Sequence, residues 1–175
     1  MEISTELEEM MNDQLNFELY SAYIYLGMAA YFEDIHLSGM AHWMEIQFFE
    51  EFNHAMRFYR HIFERGGRVD LREIKKPQKD YASVLEVWET AYEHEKLVTS
   101  RIYKIGELAE KEGDRAALTM LHWFYTEQTE EEEKTMTVRD RMKFIGNNIP
   151  GLYQLDQELG ARPPAVAPPV ASFAP

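Results

Sequence analysis

The chain has 175 residues, enough for one domain with a substantial core. Its 18 basic and 31 acidic side chains leave a formal charge of −13, which argues against nucleic acid or anionic membrane as a partner held by bulk electrostatics. The absence of cysteine excludes disulfides and thiolate metal sites and fits a reducing compartment. The start, Met1-Glu2-Ile3-Ser4-Thr5-Glu6, has neither the basic residues nor the apolar run of a secretion signal, and the longest apolar stretch, Tyr23 to Phe32, is too short to cross a bilayer. The expectation is a cytoplasmic protein without a membrane partner.

Glycine and proline punctuate the chain sparsely. A first helix is predicted from Thr5 to Glu33, and after a short turn a second from Ser38 to Arg65, ended by Gly66-Gly67. A connection from Arg68 to Tyr81, containing Pro77, leads to a third helix from Ala82 to Glu112. Gly113-Asp114 breaks the chain before a fourth helix that runs to Ile145. Gly146-Asn147-Asn148 closes it, and Pro150 opens a short fifth helix ending near Leu159. Two pairs of long helices joined by one long connection make an all-α four-helix bundle with a single crossover and a short C-terminal helix. Residues 1–160 form the domain. Residues 161–175 are Pro/Ala-rich, with Arg162 as their one charge, and are expected to be a disordered tail.

Each long helix carries an apolar seam at alternating three- and four-residue spacing. The first reads Met11, Leu15, Glu18, Ala22, Tyr25, Ala29, Phe32; the second reads Met40, Met44, Gln47, Glu51, His54, Phe58, Ile62. The third reads Leu85, Trp88, Tyr92, Glu95, Thr99, Ile102; the fourth reads Leu121, Phe124, Gln128, Glu131, Thr135, Val138, Met142. A glutamate interrupts every seam near its middle. Any one of them alone would be a local accident, snorkelling to solvent or paired with a cation. Four at similar depth are different, because burying an ionised carboxylate without a partner costs several kcal/mol. No lysine or arginine lies on these seams, whereas two divalent cations would neutralise four carboxylates.

Spacing supports a metal centre. Glu51 and His54, three apart, project from one face, and Gln128 and Glu131 repeat that interval. Glu18 and Glu95 add one carboxylate from each remaining helix. Di-iron carboxylate bundles use a Glu from each of two helices and Glu-x-x-His from each of the others. This chain meets that pattern on three helices and offers Gln-x-x-Glu on the fourth. Oxygen ligation with one imidazole and no thiolate favours iron or manganese over structural zinc.

At Asn16-Phe17-Glu18-Leu19-Tyr20-Ser21, Glu50-Glu51-Phe52-Asn53-His54-Ala55, Tyr92-Glu93-His94-Glu95, Trp123 to Gln128 and Glu130-Glu131-Glu132 the chain resembles the bacterial and archaeal non-haem ferritins. The likeness extends from about residue 5 to residue 160. It implies an iron-storage protein with ferroxidase activity, oxidising Fe(II) with O2 at a buried di-iron site and keeping the ferric product in a hollow homo-oligomer of 24 subunits. By the resemblance Glu18, Glu51 and His54 hold the first iron, with Glu51 bridging. Glu95 and Glu131 hold the second, and Gln128 lies near bound oxygen. Tyr25 resembles a tyrosine beside the centre that acts as an electron donor; it is equally a core aromatic with a bonded hydroxyl. Glu50, Glu127 and Glu130 match a looser third iron site, to which Glu131 also belongs; the alternative is an acidic surface. The second iron lacks a histidine, so its ferric product should be held weakly enough to move on.

Bacterioferritins resemble the full Glu-x-x-His pattern on the fourth helix and carry a haem-ligating methionine on the second. Here Gln128, Glu131 and Phe52 stand at those positions, so no haem is expected. The mini-ferritins have no fifth helix, and a rubrerythrin-like peroxidase would need cysteines. A metal-free structural cage subunit is the remaining alternative, although such subunits replace the ligands that this chain keeps. His42, His61, His94 and His122 read as structural or surface residues.

Overall fold

The computed structural model describes residues 2–163. Four long helices, α1 (Thr5–Asp34), α2 (Ser38–Glu64), α3 (Val84–Glu112) and α4 (Arg115–Ile145), form the bundle, and a short α5 (Ile149–Gly160) follows. No strand occurs among the described residues. The ends lie within a few residues of the sequence reading, and the caps explain them. Ser4 Oγ accepts from Leu7 N at 3.1 Å, Ser83 Oγ from Glu86 N at 3.1 Å and Asp114 Oδ1 from Ala117 N at 3.0 Å. Ser83, not Ala82, therefore caps α3. Gly113, at φ 69°, ends that helix in the left-handed conformation that glycine takes without strain.

The start of α2 has no side-chain cap of its own. Asp156 of α5 supplies one, its Oδ1 accepting from Met40 N at 2.8 Å. The two helices touch backbone to backbone. A Cβ on Gly39 would stand 1.8 Å from the Asp156 carbonyl oxygen, so only glycine fits there. The long connection between α2 and α3 is held in a similar way, by two asparagines of α1. Asn12 donates to Arg68 O at 2.9 Å and accepts from Asp70 N at 2.8 Å; Asn16 donates to Asp70 O and accepts from Arg72 N, both at 2.7 Å. Backbone groups that have no sheet or helix partner are thereby satisfied.

The seams of α1, α2 and α4 are buried throughout as read from the sequence. On α3 the stripe is displaced. Ala91, Val98 and Ile105 are buried with Trp88, Glu95 and Ile102, whereas Leu85, Tyr92 and Thr99 lie at its half-buried edge. This helix packs against both α4 and α1, and a helix facing two neighbours buries a wider stripe than a two-helix seam. The apolar interior falls into two clusters. Phe32, Met40, Met44, Trp88 and Met142 belong to one, and Leu15, Phe58, Ile102, Leu121 and Phe124 to the other. A polar layer separates them.

The end of the described chain folds back on α2. Arg162 is half-buried and bonds to Glu50 and to the backbone of Trp43. The expected disordered tail lies, beyond residue 163, outside the described residues.

Candidate metal centre

The polar layer holds Glu18, Glu51, Glu95, Glu131, His54, Gln47 and Gln128, none more than 2% exposed. Each comes from the middle of a long helix, where antiparallel packing brings the four mid-points to one level. Their ligand atoms fall into two groups. In one, Glu18, Glu51 and His54 each offer an atom within 4.8 Å of the others, and in the other Glu51, Glu95 and Glu131 do so. Ligand atoms bound to one cation at about 2.1 Å lie at most about 4.2 Å apart, so small side-chain movements suffice to close either group on an ion. Glu51 belongs to both.

Both oxygens of Glu51, Glu18 Oε2, His54 Nδ1 and Gln128 Oε1 are buried without a hydrogen-bond partner, His54 Nδ1 and Glu51 Oε2 standing 3.6 Å apart. Native interiors rarely leave such atoms unmatched, and here they all aim into one layer. Burial raises the Glu18 carboxyl above its ordinary 4.5. It raises Glu51 well above that value, helped by the charges of Glu18 and Glu131, and raises Glu95 likewise, against the hydrogen bonds from Tyr25 and Gln128. Burial thus favours the protonated over the ionised form of these carboxyls, and a bound cation would favour the ionised form.

Several side chains that the sequence left without a role orient these carboxylates. Gln14 Nε2, one turn before Glu18, donates to its Oε1 at 2.8 Å, while Arg101 Nε holds the Gln14 carbonyl at 2.8 Å. Gln47, one turn before Glu51, reaches across to Glu131 Oε2. The sequence signal for both was a glutamine four residues before a seam glutamate. Lys134 Nζ meets Glu131 Oε1 at 2.8 Å. No lysine or arginine lies on the seams, as read from the sequence, but the stem of Lys134 reaches in from outside them to offset one glutamate. One lysine still leaves three buried carboxylates unbalanced. Tyr25 is fully buried and its hydroxyl donates to Glu95, with its own acidity suppressed by burial and the neighbouring carboxylates. His94, read as structural, is held neutral by burial, at about 4, stacks on Phe17 and meets Ser21 Oγ at 2.8 Å.

Glu50, Glu127 and Glu130 differ from the inner set. Glu50 and Glu127 line a groove of about 820 Å³ between α2 and α4, whose wall includes His54. Glu127 Oε1 stands 3.9 Å from His54 Nε2, and Glu130 is exposed. The three are not among the acidic groups that converge within ligand distance among the described residues. Trp123 meets His54 edge-on at 5.4 Å and carries the Arg57 guanidinium over its ring at 3.6 Å, as a packing residue would.

Comparison with known proteins identifies the family. Residues 8–145 match the model of the ferritin-like domain. The chain is 36% identical to a bacterial non-heme ferritin of Staphylococcus aureus over 91% of its own length and 96% of that protein's. It is 34% identical to a probable bacterial non-heme ferritin-like protein of Haemophilus influenzae, over 90% and 96% respectively. Among solved structures, an open-pore ferritin from the hyperthermophilic archaeon Archaeoglobus fulgidus superposes with a TM-score of 0.92 at 41% identity, covering 93% of this chain and 100% of that one. No described helix is long and apolar enough to cross a membrane. The chain belongs to the ferritin family.

Proposed function

We propose that this protein stores iron and is a ferroxidase, with Fe(II) and O2 as substrates. The observation that carries this reading is the pair of acidic groups sharing Glu51 at the centre of an otherwise apolar bundle. Glu18, Glu51 and His54 would take one Fe(II), and Glu51, Glu95 and Glu131 the other, with Glu51 as the bridge. Each Fe(II) gives up one electron to become Fe(III), and O2 takes the pair, with two protons, to the level of hydrogen peroxide. The carboxylates stabilise the charge that grows on each metal, and the apolar clusters on either side exclude bulk water. Gln128, whose Oε1 is unpartnered, would lie close to the bound oxygen. Tyr25, whose hydroxyl donates to Glu95, would be the donor of a further electron where O2 is reduced beyond the peroxide level.

Iron here is cargo as well as reactant. Two carboxylates beside the bridge, with no second histidine, hold ferric iron loosely enough for it to leave through the α2–α4 groove, past Glu127 and the proposed outer site at Glu50, Glu127 and Glu130. A hollow 24-subunit homo-oligomer in the cytoplasm is the assembly that suits such traffic, and the cysteine-free composition is compatible with that compartment. Anaerobic apoprotein mixed with Fe(II) and O2 in a stopped-flow instrument tests the proposal. Fast oxidation saturating at two irons per subunit is the expected result. Oxidation no faster than in protein-free buffer contradicts it.

A further inference from the structure

Arg162 lies just past the end of α5, and its side chain is only 14% exposed. It donates to Glu50 Oε2 and, over 3.3 Å, to the Trp43 carbonyl, and it covers the Trp43 ring at 4.4 Å. The Arg162 carbonyl in turn lies 3.0 Å from His42 Nε2. The segment that delivers this arginine is fixed at two further points. Asp156 caps α2, and Gly160 crosses Gly39 so closely that a Cβ on Gly160 would stand 3.0 Å from the Gly39 Cα. This sets the pair apart from the exposed ion pair Arg141–Glu158 next to it, whose side chains are 45% and 44% exposed and free to exchange partners with water.

Glu50 also lines the groove from α2, with His54 one turn further along the same helix and Glu127 contributed by α4. A carboxylate whose oxygen already receives a charge-assisted hydrogen bond is a weaker donor to a metal, and the guanidinium repels an arriving cation. The inner glutamates converge although Lys134 meets Glu131, and Glu51, shared by both inner groups, has no lysine or arginine partner among the described residues, whereas Glu50, Glu127 and Glu130 do not converge. We propose that Arg162 is a built-in competitor for the outer cation: it holds Glu50 in the metal-free protein, and a divalent ion must displace it before these three carboxylates close. The arginine thereby keeps the outer site weaker than the inner pair, so that iron fills the oxidising centre first. This inference rests on the reading of Glu50, Glu127 and Glu130 as an outer iron site.

Calorimetric titration of full-length apoprotein with Zn(II), a redox-inert probe, separates the two ideas. The unaltered protein should bind two equivalents per subunit tightly and a third more weakly. In Arg162→Ala the third equivalent should tighten about tenfold, equivalent to about 1.4 kcal/mol, while the first two stay unchanged. Arg162→Lys, which keeps the charge but loses the planar fork and the broad stacking face, should fall between them. Glu50→Ala should abolish the third equivalent with or without Arg162. If Glu50→Ala removes it but Arg162→Ala leaves its affinity unchanged, the competitor role is wrong and the outer site stands. If Glu50→Ala leaves three equivalents, the outer site as drawn is wrong and the competitor role falls with it.

Discussion

The inner and outer carboxylate sets lie within two helical turns of each other on α2 and α4, yet they are built on different terms. Glu18, Glu51, Glu95 and Glu131 are sealed between two apolar clusters and converge before any ion arrives, their geometry fixed by Gln14, Gln47 and Tyr25. Glu50 and Glu127 line a groove and Glu130 is exposed, with Glu50 tied to an arginine. Burial makes the first set costly without metal and therefore strongly driven to bind it. Solvent and Arg162 relieve the second set and lower its demand for a cation. A centre that binds first and a relay that binds second can thus be made from the same residue type by changing only its surroundings.

The largest effect expected is from Glu51→Gln, which keeps the volume but removes the bridging charge. Initial oxidation at two irons per subunit should slow on the order of a hundredfold or more, followed by absorbance in a stopped-flow instrument. An unchanged initial rate would remove the distinction between the two sets.

The next expected effect is on stability, and it depends on pH. In the metal-free protein Glu18, Glu51 and Glu95 bind protons more tightly than in the unfolded chain, where they titrate near 4.5. The folded state then carries the extra protons, so their contribution favours folding below that value and is lost as pH rises through the raised folded values. Zn(II) abolishes this loss by replacing the protons. Thermal melts should therefore show a zinc-induced gain that grows with pH, about 2.7 kcal/mol for each site at a hundredfold excess over its dissociation constant. Asp114 has the opposite sign. The Arg65 guanidinium holds it down at about 2, so its contribution is present above 3.8 and fades as pH falls through about 2.

Asp114→Ala should cost about 2 kcal/mol, from a lost helix cap and a lost charged hydrogen bond, read as a lower melting temperature. It should leave zinc stoichiometry untouched, because the residue lies at the far end of the bundle. The smallest effect falls on the outer set. Glu130→Ala should spare the first oxidation while altering oxygen stoichiometry or later turnover. A collapsed first phase with normal later turnover would mean that inner and outer are assigned the wrong way round.

The bundle was legible because helix periodicity, glycine breaks and a single long connection are local features of a sequence. The four seam glutamates were legible for the same reason: each violates its own apolar stripe, and the violations fall at one depth. Lys134 and Gln14 were not found, since they stand one turn from their partners on positions that read as surface. Arg162 and Asp156 lay further from reach. Their partners, Glu50 and the Met40 amide, are more than 100 residues away, and only the docking of α5 on α2 brings them together. The displaced stripe on α3 has a related cause. Periodicity reports how wide a stripe can be but not how many neighbours share it.

The central claim is that the polar layer is a two-cation site bridged by Glu51. Crystals of the apoprotein soaked in Zn(II) and measured for anomalous scattering test it most directly. Two strong peaks are expected in each subunit, one touching Glu18, Glu51 and His54 and the other touching Glu51, Glu95 and Glu131, with any third peak weaker and near Glu50 and Glu127. A layer without anomalous density, or a single peak that does not touch Glu51, would contradict the account.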